Sequence, residues 1–362
     1  MRRGHFETLR PVCPVCRKGA EQASALRIAQ VEREENGDIV EGALHCTNPD
    51  CLREFPIVDG IPLLVTNIRQ YVSDNILAIS ARRDLGAPLE TMLGDCCGPG
   101  SAYEYTRQLL SSYAWDHYGD LDPQEPSSEP RPGSVLRNLQ IGCEAAQLFT
   151  SPASQGPAVL DVGCSVGRTS FALAERTQAL VLGIDLSFPM LRLASEVLRR
   201  GTARYARRRV GLVYERREFQ ARFANSRNVD FWACDATALP FLAGTFSCAV
   251  GLNVLDCVYA PRELMVSLGN VLDKGGRAVL ASPYDWSAAA TPLEAWLGGH
   301  SQRSPSVGSP EAVLRKLLTP GGPGSINALR LMFERENLPW HVRLHDRSTM
   351  TYKLHMVVAE KA

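Results

Sequence analysis

Four short apolar runs punctuate the second half of the chain: residues 158–162 (AVLDV), 179–185 (ALVLGID), 229–235 (VDFWACD) and 246–252 (FSCAVGL). They are too continuous for half-exposed strands and too short for helices, which predicts strands buried on both faces. Helical spacing follows the first run (RTSFALAER), and a helix is predicted from Pro261. A Gly-Gly turn in LDKGGRAVLASPYDW then precedes a fifth strand ending at Ser282, and two more strands, WHVRLHD and TYKLHMVVAEK, close the chain. Strand and helix in alternation predict an α/β fold, a doubly wound, Rossmann-like, mostly parallel sheet of seven strands. At the other end, CLREFPIVDGIPLLV predicts a hairpin turning at its D-G pair.

Two stretches break the pattern. GDLDPQEPSSEPRPGS (119–134) is too rich in Pro, Ser and acidic residues to pack as a core element, and GGHSQRSPSVGSP (298–310) reads as a long loop. The expected division is a small module over 1–66, a helical cap with its linker over 67–150, and the α/β domain over 151–362.

Composition adds little to this picture. Lys+Arg and Asp+Glu both number 39, so charge balance does not argue for nucleic acid or an anionic membrane. No apolar run approaches a membrane span, and the basic start MRRGHFETLR lacks the apolar core of a signal peptide. Most of the 11 cysteines stand singly, which fits a reducing, cytoplasmic setting better than a disulfide scaffold.

Four cysteines do change the picture. Cys13 and Cys16 form a C-x2-C knuckle, and Cys46 and Cys51 a C-x4-C pair. Four thiolates suit a closed tetrahedral zinc site, structural rather than catalytic, in a module whose small core needs one. His45 beside Cys46 is a possible substitute ligand; a redox C-x-x-C would leave the second pair unexplained. Residues 10–66 resemble the small zinc-ribbon proteins that bind and activate RNA and protein methyltransferases, which implies a binding or stabilising module.

The first strand runs into Asp161, Gly163, Cys164 and Gly167, a glycine turn where a ligand can approach the backbone closely. Its spacing is not that of a dinucleotide fingerprint. It resembles the D-x-G-x-G-x-G turn of S-adenosylmethionine enzymes, with Ser165 in the central glycine's place. The second strand ends in Asp185, followed by Leu186, where a carboxylate can accept both ribose hydroxyls. The third ends in Asp235, followed by Ala236. In the class I methyltransferases that the chain resembles, this acidic residue and its neighbour meet the adenine. Asn253 follows the fourth strand. Together these imply S-adenosylmethionine as cofactor.

A narrower resemblance covers residues 158 to the end. The segments LDVGCSVGRTSFALA, GLNVLDCVYAP, LASPYDW and TPLEAWLGG are similar to the methyltransferase domain of ovothiol biosynthesis, a mercaptohistidine N-methyltransferase. The iron-dependent sulfoxide synthase often fused to that family's methyltransferase is absent here. The resemblance implies N-methylation of an imidazole on histidine, a thiohistidine-like small molecule or a histidine-containing peptide. Candidate catalytic groups are Asp256 and Tyr284, which could orient a ring N–H, and His117, a possible general base near neutral pH. Tyr113, Asp285, Trp286 and Trp296 are candidate substrate contacts, and Arg343 and Arg347 could hold a substrate carboxylate. Ordinary core packing competes for the aromatics, and a solvated edge for the arginines.

The insertion at 199–227 holds ten arginines with interleaved Tyr and Phe, readable as a nucleic-acid patch or, more simply, as a solvated basic helix face. The alternative function is therefore a tRNA, rRNA or protein methyltransferase with the ribbon as recognition module. A non-catalytic binding module that keeps the fold as scaffold is a third reading.

Overall fold

The computed structural model describes residues 1–17, 23–127, 129–149, 158–322 and 324–362. The boundary expected between 150 and 151 lies outside the described residues. Helix α1 (Arg3–Leu9) leads into β1 (Leu26–Glu35), β2 (Asp38–Cys46), β3 (Glu54–Val58) and β4 (Ile61–Leu64), each antiparallel to the next. The β3–β4 turn is the predicted one: Asp59 and Gly60 have φ of 54° and 81°, as a two-residue type I′ turn requires. The β1–β2 turn, Asn36-Gly37, repeats this with 52° and 85°.

Helices α2 (Ile68–Ser80), α3 (Ala87–Cys97), α4 (Ala102–Tyr118) and α5 (Ser134–Ala145) follow. Then come β5 (Ala158–Val162), α6 (Arg168–Ala174), β6 (Leu180–Asp185) and α7 (Phe188–Arg200). A hairpin of β7 (Thr202–Val210) and β8 (Val213–Gln220) is inserted before β9 (Val229–Cys234) and β10 (Phe246–Leu252). Helix α8 (Pro261–Val271), β11 (Leu272–Ser282), α9 (Pro310–Leu317), β12 (Leu329–His345) and β13 (Ser348–Lys361) complete the chain.

The seven strands outside the ribbon and the inserted hairpin lie in the order β9-β6-β5-β10-β11-β13-β12. All neighbours are parallel until β13 enters antiparallel to β11 and pairs with β12. Their C-terminal ends bring Asp185, Asp235 and Asn253 to one edge. Helices α5, α6 and α7 pack on one face, and α8, α9 and the ribbon on the other.

The ribbon, expected as a module apart, continues this sheet. β4 pairs in parallel with β9 through Leu63↔Ala233 and Leu64↔Cys234, making eleven strands in one sheet. Ile61, Leu63 and Leu64 are wholly buried, and burial of each contributes about 2 kcal/mol, so the junction is core rather than a linker contact. Farther along, the Val12 N–H donates to the Pro240 carbonyl (2.9 Å) and the Arg2 N–H to Asp230 (2.9 Å).

The arginine-rich insertion is a strand hairpin, not a basic helix face. Its residues alternate in burial, so that Ala203, Tyr205 and Arg207 point inward. Arg207 pairs with Glu125 (3.1 Å) and Asp346 (2.7 Å), Arg217 with Asp122 (3.4 Å), and Arg216 with Glu90. Arg204 donates to the carbonyls of Arg83 and Leu85. These arginines pin the acidic linker and the helical cap, which leaves them poorly placed for an external polyanion. No helix among the described residues is long and apolar enough to cross a membrane.

Candidate functional site

The four ribbon cysteines converge: their sulfurs all lie within 4.8 Å of one another, with Cys13–Cys51 at 3.8 Å and Cys16–Cys46 at 3.7 Å. A tetrahedron with Zn–S bonds of about 2.3 Å has edges of about 3.8 Å, so the sulfurs fit a structural zinc with no open position. His45 is not part of this group; its Nε2 faces Glu54 at 3.5 Å.

At the sheet's C-terminal edge the β5–α6 turn is built for close approach. Gly163 and Gly167 have φ of 66° and 88°, and a Cβ would come within 2.9 Å of Val254 at the first and 2.6 Å of Phe231 at the second. Ser165 holds the central position with φ 52° and donates its N–H to Asp185 Oδ2 (2.9 Å). The other Asp185 oxygen accepts from the Ser187 N–H (2.8 Å), and burial pushes its pKa up. Asp161 is enclosed below the turn, where its Oδ2 accepts from Thr169 (2.7 Å) and Ser170 (2.6 Å), tying β5 to α6. Burial raises its pKa to about 6. Cys164 is buried and locks the turn to β6 through its N–H on the Ile184 carbonyl (3.0 Å).

Asp235 caps a short turn of helix by accepting from the Thr237 N–H (2.9 Å) and hydroxyl (2.7 Å), and Ala236 is buried behind it. Leu186 stays exposed beside Asp185. Asn253 adopts φ 58°, donates its N–H to the Ala281 carbonyl (2.8 Å), and leaves its Oδ1 buried without a partner. His117 Nδ1 is likewise buried and unpartnered. Both residues line one tight pocket with Tyr113, Asp161, Gly163 and Trp340. A glycine cradle beside unpartnered polar atoms and three carboxylates fits the sulfonium, ribose and base of S-adenosylmethionine. A larger cleft of about 1030 Å³, lined by Arg2, Arg3, Arg199 and Arg200, lies at the opposite edge, where α7 ends and β9 begins. It is remote from this chemistry.

Two aromatics that sequence reasoning missed stand at the pocket: Trp340 lines it, and Tyr352 backs Trp340. Trp340 and Tyr352 are direct cross-strand partners on β12 and β13, with stacked rings 5.1 Å apart, and Tyr113 lies 6.3 Å from Trp340. Their signal was present as one aromatic in each closing strand. The Tyr352 hydroxyl donates to Asp285 (2.9 Å), and the Asp285 N–H to Asp256 Oδ2 (2.8 Å). Asp256 Oδ1 is buried with no hydrogen bond of good geometry; burial pushes this carboxyl's pKa up, partly opposed by the nearby Ser282 hydroxyl.

Other expected site residues lie elsewhere. Tyr284, turned by φ 56°, packs on the α8 and α9 face with its hydroxyl on His355 Nδ1 (2.7 Å). Trp286 stacks on Trp296 at 5.7 Å on that same side, and Trp296 Nε1 holds the Thr291 carbonyl (2.9 Å). Arg343 is committed to Asp346 and the Arg208 carbonyl, and Arg347 is exposed in the β12–β13 turn. Neither reaches the pocket. His117 sits in the pocket, but burial and the nearby Arg168 hold its pKa at about 3, so it is neutral where a base was expected to titrate.

This strand order, turn and set of strand-end carboxylates fit an S-adenosylmethionine-dependent methyltransferase, the enzyme class that the matching domain supports. Residues 160–280, about a third of the chain, match the family described as a methyltransferase domain. No curated protein matches the chain. Among solved structures it is similar to the magnesium protoporphyrin IX methyltransferase of Synechocystis with bound S-adenosylhomocysteine (19% identity, 72% of this chain and 99% of that one, TM-score 0.37). A second is an S-adenosylmethionine-dependent methyltransferase of Methanosarcina mazei (20%, 56% and 92%, 0.37). A third comes from the complex between the Haloferax volcanii Trm112 methyltransferase activator and a methyltransferase (13%, 63% and 92%, 0.38).

Proposed function

We propose that the chain N-methylates an imidazole, on a thiohistidine-like small molecule, on histidine or on a histidine-containing peptide. The observation that carries this reading is the pocket lined by Tyr113 and Trp340, with Tyr352 stacked on Trp340 and tied through Asp285 to the buried Asp256 carboxyl. A flat heterocycle packs against such walls, and one ring N–H satisfies that carboxyl. The resemblance of SPYDW and TPLEAWLGG to the ovothiol enzyme points the same way. In this reading Asp185 holds the ribose hydroxyls, Asp235 and Ala236 border the adenine, and Asn253 faces the amino-acid end.

When bound, S-adenosylmethionine supplies the electrophilic methyl group. The aromatic walls hold the ring and exclude water, and Asp256 accepts the N–H on one side of the imidazole, which fixes the tautomer and leaves a lone pair on the other nitrogen. The carboxylate of Asp256 would stabilise the positive charge that the ring gains on accepting a methyl group, and would take the N–H proton. A neutral imidazole needs no stronger base, which suits a His117 held neutral.

The rival reading, an RNA or protein methyltransferase with the ribbon as recognition module, gains from the ribbon's place in the sheet and loses from the internally paired arginines. Labelled S-adenosylmethionine incubated separately with thiohistidine, histidine, histidine peptides and total tRNA decides between them. The expected result is label in thiohistidine or a histidine compound, abolished in Asp256→Asn while cofactor affinity is kept. Label in tRNA alone contradicts the proposal.

A further inference from the structure

Helix α2 stands out because none of its residues is fully buried, yet it is held firmly in place. Asn67 caps its start, accepting the Gln70 N–H (3.2 Å). At its other end Arg192 of α7 donates to the carbonyls of Ala78 and Ile79, while its Nε pairs with Asp59 (3.0 Å) in the β3–β4 turn. Three residues separate α2 from β4, so this ribbon strand and Arg192 fix both ends. Its inner face, with Ile68, Tyr71, Val72, Ala78 and Ile79, packs partly buried against the core.

It covers the start of α7. Tyr71 donates its hydroxyl to the Leu186 carbonyl (3.1 Å), next to the carboxylate of Asp185. Its ring is partly buried; burial raises the hydroxyl's pKa, with Asp185 and then Cys234 adding to the effect. Asp185 ends β6 and Cys234 ends β9, so Tyr71 stands beside the strand ends that carry Asp185 and Asp235. The outer face of the same helix, by contrast, leaves Leu77 79% exposed.

We propose that Tyr71 is a cofactor-binding residue, the outer wall of the adenosine site, carried there by a helix suspended from the zinc ribbon. This rests on the reading of Asp185 and Asp235 as the adenosine carboxylates. The aromatic ring packs over the ribose and base, and its hydroxyl fixes the Leu186 backbone beneath them. The ribbon thus enters the cofactor site through one side chain, without any ribbon residue touching the methyl acceptor.

The test measures S-adenosylhomocysteine affinity by calorimetry and its dissociation rate by stopped-flow displacement, on the full chain and its variants. Tyr71→Ala is expected to weaken binding roughly tenfold, the size of one lost aromatic wall, chiefly through faster dissociation. Tyr71→Phe keeps the wall and loses one hydrogen bond, so it should stay within a few-fold of wild type, and Leu77→Ala on the outer face should match wild type. Affinity and dissociation unchanged in Tyr71→Ala, with wild type binding normally, overturns the role of Tyr71 alone. Equal losses in Tyr71→Ala and Leu77→Ala reduce α2 to a structural prop and overturn it as well. Absence of binding by wild type overturns the underlying reading.

Discussion

Asp161 and His117 are both enclosed, and burial moves their ionisation in opposite directions. For Asp161 the protonated form is favoured in the folded state, with a pKa of about 6 against 3.8 when unfolded. The cost of its charge is absent below pH 3.8, grows as pH rises, and is complete above pH 6. That interval corresponds to about 3 kcal/mol. Asp161→Asn carries no such charge, so denaturant unfolding of the cofactor-free protein should show wild type losing about that much relative to the variant between pH 4 and 7. His117, held at about pH 3, should show no imidazole titration between pH 5 and 8 by NMR, against the mid-range step of a free histidine. The acidic strand ends were legible in the sequence because a buried strand followed by a carboxylate fixes that residue at the sheet edge. Side-chain direction after the edge was not. Tyr284 turns to the far face through a positive φ that its residue type does not announce, and Asp256 is aimed by a hydrogen bond from Asp285, a contact between separate loops.

Among the elements, the inserted hairpin carries the sharpest stability test. Arg217 and Asp122 are both almost wholly buried, so Arg217→Ala strands a carboxylate and should lower unfolding free energy by about 3 kcal/mol. Arg227→Ala, on an exposed side chain of the same insertion, should stay within about 0.5 kcal/mol. Reading the insertion as a helix face missed the alternation of Ala203, Tyr205 and Arg207, whose period of two was masked by the charge of the third. The β1–β2 hairpin had a plain signal in Asn36-Gly37 that the cysteine spacing overshadowed. The ribbon makes a second test. Elemental analysis should find one zinc per chain, and Cys46→Ser should lose metal and unfold at lower denaturant, since metal binding and ribbon folding are one equilibrium. Retention of the wild-type midpoint without zinc contradicts that coupling.

On the scale of the whole molecule, the ribbon and the parallel sheet form one continuous structure, joined at β4 and β9 and buttressed by α2. The seven-strand order could be expected from alternating strands and helices, because crossover handedness and short connections leave few topologies. The edge pairing could not, since any apolar strand presents the same backbone groups to any free edge. The central claim is that this edge holds S-adenosylmethionine through Asp185 and its neighbours. Titration calorimetry with S-adenosylhomocysteine on wild type and Asp185→Ala tests it most directly. The account predicts one site per chain in the wild type and affinity roughly 10 to 100-fold weaker in the variant, the loss of two charge-assisted hydrogen bonds. No heat of binding in the wild type, or equal affinity in both proteins, would contradict it.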